Sequence, residues 1–191
     1  MARRRGSRRM EDGNVPRILF VGTHAVTAPS RSTLWARLRA HRGAEDCRGN
    51  HRGSVFRLHV GAALLRRDGA DEVLDSWGVG PSAPRAVRER EVRHEVRVSS
   101  HIGSMSVVWV AVLDEPGPTS ARAFIKRNAI ALLSRQGRRI DPPSRAWLGL
   151  RSERDEIRHS GLWNLDHVME DHEPAFLDVL EASVEAMERG R

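Results

Sequence analysis

The chain has no tyrosine, a single cysteine (Cys47) and a single lysine (Lys126) among its 191 residues. The first absence removes every phenol from the available proton-transfer chemistry. The second excludes an internal disulfide framework and a cysteine-based zinc site. No apolar run approaches the roughly 20 residues that a membrane span needs. The first ten residues carry arginines, but no apolar stretch follows them as it would in a secretory signal, so the expected compartment is the cytoplasm. Nine histidines are present, yet none forms a His-x3-His or comparable ligand pair, which argues against a histidine-built metal enzyme.

What is abundant is arginine. Basic residues number 32 against 25 acidic ones, giving a net charge of +7 and a pI near 11.2. That balance favours a polyanionic partner, most simply nucleic acid, and arginine suits bidentate phosphate contacts. Codon usage in a GC-rich genome produces the same skew without functional meaning. At 39% hydrophobic the chain can bury a core of single-domain size. Residues 1–16 read as a disordered basic arm and 17–191 as one domain with a helical C-terminal extension.

The pattern predicts strands at 17–22 and at 104–113, the latter Ser-Met-Ser-Val-Val-Trp-Val-Ala-Val-Leu. Helices are expected at 32–42, 54–67, 119–136, 153–159 and 174–189. Residues 85–100 are highly charged, with valines fitting neither period, and read as a helix turning extended near its end. Arg37 and His41 lie four residues apart on one helical face, where they could hold a phosphodiester or simply form a solvated surface. Arg48 to Gly53 has the make-up of a phosphate-contacting loop or of an ordinary connection. The order of elements gives an α/β (α+β) fold with a small sheet and covering helices.

Five blocks then carry a family resemblance: Val-Gly-Thr-His at 21–24, Leu-Trp-x-Arg-Leu-x-x-His-Arg-Gly at 34–43, Gly-Asn-His-Arg-Gly-Ser at 49–54, Arg-Asn-Ala-Ile-Ala-Leu-Leu-Ser at 127–134 and Ser-Gly-Leu-Trp-Asn at 160–164. Together they resemble the GIY-YIG nuclease superfamily, in a restriction-enzyme-like bacterial branch, over residues 17 to 180. The resemblance implies an antiparallel sheet of about three strands flanked by helices, hydrolysis of double-stranded DNA, and one Mg²⁺ (or Mn²⁺). It makes Arg37, His41, Lys126 and Asn164 the catalytic positions. Gly22, His24, Arg52, Arg57 and Arg127 become the phosphate-binding ones. It assigns no metal ligand, membrane or oligomeric state.

Three departures follow from matching residues one by one. Nothing in 1–16 resembles the Gly-Ile-Tyr strand expected upstream of Ile18, so the chain reads as a divergent or N-terminally shortened member. The second-strand tyrosine is Phe20, which has no hydroxyl. The position of the metal-binding glutamate is Lys126, whose ammonium repels Mg²⁺. Either catalysis is impaired, or His24, His41 or His51 serves as base with Asp166 as metal ligand. A non-catalytic nucleic-acid-binding or regulatory module on the same fold is the alternative function.

Overall fold

A computed structural model describes residues 16–26, 30–46, 48–69, 75–134 and 141–190. Cys47, most of the expected basic arm and the end of the helix expected at 119–136 lie outside them. Six α-helices are formed among the described residues: α1 (Leu34–Arg42), α2 (Val55–Asp68), α3 (Arg85–Gly103), α4 (Ala121–Ser134), α5 (Asp155–Ser160) and α6 (Phe176–Arg189). Two short 3₁₀ turns, His51–Gly53 and Leu148–Arg151, complete the regular structure. No helix among the described residues is long and apolar enough to cross a membrane.

Local chemistry accounts for the helix ends. The Thr33 hydroxyl accepts from the Ala36 amide to start α1, and the Ser54 hydroxyl accepts from the Arg57 amide to start α2. Gly69 closes α2 in the left-handed conformation, at φ 65°. The core sits around α2, whose Phe56, Val60, Ala63, Leu64 and Leu65 pack on Trp77, on Val98 and Ile102 of α3, and on Leu148, Ile157 and Trp163. A second cluster joins Ile130 of α4 to Leu162, Val168 and Val21.

The expected three-stranded sheet is not there: the described residues contain no strand. Both segments read as strands lack a ladder partner. In 17–22 the Leu19 carbonyl accepts from the Trp163 amide at 2.8 Å, and an asparagine side chain supplies the next two bonds, as described below. One backbone bond and an amide side chain hold the chain extended without a second strand. Residues 104–113 have the β-branched alternation of a strand, but a strand also needs an edge to pair with, and among the described residues none is formed. Val108 and Leu113 are 90% and 97% exposed.

Because Val108 touches solvent rather than a sheet interior, Val108→Asp should shift the thermal midpoint by no more than about 2 °C, as a surface substitution does. A thermal melt showing a loss of ten degrees or more would place the segment back in a packed sheet.

The third correction concerns α3, which stays helical to Gly103 instead of turning extended. Its inward face is Glu91, His94, Glu95, Val98, Ser99 and Ile102, a helical repeat written largely in polar residues. Val87, Val92 and Val96 are only half-buried. The valines fit neither period because the inward face is mostly polar, and of the four only Val98 lies on it.

Candidate nucleic-acid site

The segment 20–22 is positioned by Asn164. Its Oδ1 accepts from the Val21 amide at 3.0 Å and its Nδ2 donates to the Val21 carbonyl at 2.8 Å. Both ends of the amide are therefore engaged with backbone, which makes Asn164 a clamp on Phe20-Val21-Gly22. Phe20 carries that segment onto α1 and α2: its ring stacks on Phe56 at 4.5 Å and meets the His41 ring edge-on at 5.4 Å. Phe56, in the same stack, also meets the His41 ring edge-on, at 5.6 Å.

His41 is 9% exposed. Its Nδ1 lies 2.7 Å from the Ser54 hydroxyl, and its carbonyl accepts from Arg57 Nη1 at 3.0 Å. Burial, then the charges of Arg37 and Arg57, lower its pKa from 6.5 to about 4. The ring is therefore neutral at physiological pH. Arg37 stands one turn earlier on the same helix, half-buried and without an ion pair among the described residues.

His24 lies two residues past Gly22, and its Nδ1 donates to the Ser32 carbonyl at 3.0 Å. A carbonyl only accepts, so in the neutral ring Nε2 carries the lone pair. Lys126 is half-buried on α4, one turn before Ile130, whose side chain belongs to the cluster that includes Val21. It too makes no ion pair among the described residues.

The other expected phosphate contacts face elsewhere. Arg52 donates to both oxygens of Glu91, at 2.6 and 2.9 Å, and to the Ser76 carbonyl at 3.1 Å. Arg57, with no exposed surface, uses all of its N–H groups inside the protein. Nε and Nη2 donate to Glu95 Oε2 at 3.2 and 2.5 Å, Nη2 also to the Glu95 carbonyl, and Nη1 to the His41 carbonyl and Ser99 Oγ. Arg127 is exposed and pairs with Glu170 at 2.6 Å. Its neighbour Asn128 accepts from the Glu173 amide at 2.7 Å and so fixes the turn into α6.

The block at 49–54 is thus an internal lock rather than a phosphate loop. Gly49 lies flat on the Arg57 guanidinium, where a Cβ would come within 2.2 Å of Cζ. Asn50 caps the 3₁₀ turn by accepting from the Arg52 amide at 3.1 Å. The His51 amide and Nδ1 both donate to Glu95 Oε1, at 2.7 and 2.9 Å, while Nε2 accepts from the Gly78 amide at 3.1 Å. The ring stacks on Trp77 at 3.8 Å. Burial alone pushes the Glu91 and Glu95 carboxyls up. Donors from Arg52 and Ser76 to Glu91, and from His51 and Arg57 to Glu95, outweigh it and hold both below the usual carboxylate range.

Sequence reasoning missed Glu91, Glu95, Ser99 and the link from Ser54 to His41. The available signal was spacing: 91, 95 and 99 recur every four residues, as buried positions on a helix do.

The site brings together Phe20–Gly22, His41, Asn164 and, on the same helical face as His41, Arg37. It leaves Arg52 and Arg57 behind it, as its support. The donor set does not suit a divalent cation: α4 contains no acidic residue, and Lys126 stands where the carboxylate is expected. No group of three or more potential ligands gathers among the described residues. A sequence model of the GIY-YIG domain matches residues 3–190. No curated protein and no solved structure gives a significant match.

Proposed function

Since the chain belongs to the GIY-YIG domain family, a family of nucleases, we propose that it binds double-stranded DNA through Arg37 and His41 and that its hydrolytic step is impaired. The observation that supports this reading is the contrast between committed and uncommitted cations. Arg52, Arg57 and Arg127 are neutralised by carboxylates, whereas Arg37 and Lys126 make no ion pair among the described residues and can take an external anion.

A phosphate oxygen beside Arg37 gains a charge-assisted hydrogen bond in a partly buried setting. Asn164 holds the Val21 backbone, and with it the segment whose Phe20 packs on His41. Lys126 adds a phosphate donor from α4. The Mg²⁺ used by the resembled nucleases supplies Lewis-acid stabilisation of the leaving oxygen, and with a lysine at that position this chain's residues do not fit it. Phe20 offers no hydroxyl for proton transfer.

The binding half is tested by electrophoretic mobility shift of a DNA duplex. Affinity should fall steeply between 50 and 200 mM salt as counterions are released, and Arg37→Ala should lower it about tenfold at fixed salt, the loss of one charged phosphate contact. A shift indifferent to salt sinks the DNA-binding reading. For the hydrolytic half, supercoiled plasmid with Mg²⁺ should stay intact with the wild-type chain, and any nicking gained by Lys126→Glu measures what the lost carboxylate contributes. Wild-type cutting that equals or exceeds the variant's refutes the impairment.

A further inference from the structure

The Ser54 hydroxyl is buried and has one hydrogen to place. One of its lone pairs already accepts from the Arg57 amide at 3.2 Å. Its amide and carbonyl are spent on the backbone, accepted by His51 and accepting from Leu58. Among the described residues the acceptor within reach of the hydroxyl hydrogen is His41 Nδ1, at 2.7 Å. A buried hydroxyl left without an acceptor is costly, so the O–H points to Nδ1, and Nδ1 holds no proton. In the neutral ring the proton is then on Nε2.

We propose that Ser54 is a positioning residue that fixes His41 as its Nε2–H tautomer, so that His41 presents a phosphate oxygen with a hydrogen-bond donor and not with a base. The part that concerns phosphate rests on the reading of Arg37 and His41 given above. The tautomer itself rests on geometry alone.

The neighbouring residues hold this arrangement through ring contacts and backbone bonds. Phe20 and Phe56, stacked on each other, both contact the ring edge-on. Arg57 fixes the backbone of the same residue through its carbonyl, and Glu95 fixes Arg57. Ser54 is both the cap of α2 and the partner of the imidazole, so the start of that helix and the orientation of the ring are one feature. A charged imidazolium is disfavoured by burial and by the arginines, which leaves tautomer choice as the variable the protein controls. His24 is held in the opposite sense, with Nδ1 protonated by its bond to the Ser32 carbonyl.

The test is long-range ¹H–¹⁵N NMR of the histidine rings in the full chain at pH 7. The expected result for His41 is an unprotonated Nδ1 and a protonated Nε2. Ser54→Gly keeps a favourable helix cap while removing the hydroxyl, and should produce a mixture of tautomers at His41. Ser54→Thr restores the hydroxyl and should restore the single form. A wild-type His41 protonated on Nδ1, or a Ser54→Gly spectrum unchanged at His41, overturns the inference.

Adding a short DNA duplex then separates it from the reading it builds on. Movement of the His41 Nε2–H signal, with affinity reduced roughly fivefold in Ser54→Gly, supports both. A single Nε2–H tautomer that the duplex does not perturb leaves the role of Ser54 standing and removes the phosphate.

Discussion

Glu95→Leu is expected to cost about 3–5 kcal/mol of stability, the penalty for leaving one member of a buried ion pair unpartnered. The stranded groups are specific. Arg57, with no exposed surface, loses the carboxylate acceptor of Nε and Nη2 and keeps its charge. The His51 amide and Nδ1 lose their shared acceptor in the same step. A domain whose total stability is of the usual 5–15 kcal/mol would be left marginal or unfolded. Urea denaturation followed by circular dichroism measures this directly.

The comparison that gives the result its meaning is Glu185→Ala. Glu185 forms an exposed pair with Arg189 at 3.3 Å, and its loss should stay within about 0.5 kcal/mol. If Glu95→Leu stayed within 1 kcal/mol of wild type, the polar layer between α2 and α3 would not be the support of the site. Removing both charges, as Arg57→Met with Glu95→Leu, should recover much of the lost stability, since apolar replacement of a whole buried pair is tolerated. It should not recover duplex affinity, because the His41 carbonyl would still have lost its anchor.

That layer also explains how much of the molecule was legible in the sequence. Helices around 34–42, 55–68 and 176–189 declare themselves through cap residues or an apolar stripe, and they form where expected to within a residue or two. The five blocks led to the correct family, because such blocks register many positions at once.

What each block does was less accessible. Arg52 and Arg57 looked like surface cations because their partners, Glu91 and Glu95, lie about 40 residues away on a helix whose inward face is polar. Hydrophobic periodicity cannot find a core face built from ion pairs. Asn164 looked like a ligand of phosphate, and its amide turned out to bind the backbone of Val21. The apolar run 104–113 misled for a different reason: side-chain preference for a strand says nothing of whether a partner edge is in reach.

Stability should fall monotonically as pH drops from 7 to 4, and the sign comes from the histidines. Burial lowers the pKa of His41 to about 4 and depresses those of His59, His94 and His101, with nearby arginines adding to the effect at His59 and His101. Between the unfolded value near 6.5 and the lower folded values, the unfolded chain binds more protons than the native one. Stability is therefore full above about pH 6.5 and declines as pH falls through that window. The His41 shift alone accounts for about 3 kcal/mol at most.

As pH falls through the usual carboxylate range a second loss begins. Glu91 and Glu95 have folded values depressed by their arginine and histidine donors. Their contribution is present above the unfolded carboxylate value and disappears as pH falls through the folded one. Urea midpoints at pH 8, 6.5, 5 and 4 should trace both parts, with His41→Gln flattening the segment between 6.5 and 4. A midpoint that held steady or rose across that segment would mean that the imidazole is not confined as a neutral ring. Bound DNA should blunt the same segment, because a phosphate beside Arg37 offsets the charge that disfavours the imidazolium. Duplex affinity measured at pH 5 should thus be accompanied by proton uptake, readable as a dependence of binding enthalpy on buffer ionisation. Without that uptake, the imidazolium does not form beside the phosphate, and His41 meets it only as the neutral Nε2–H donor.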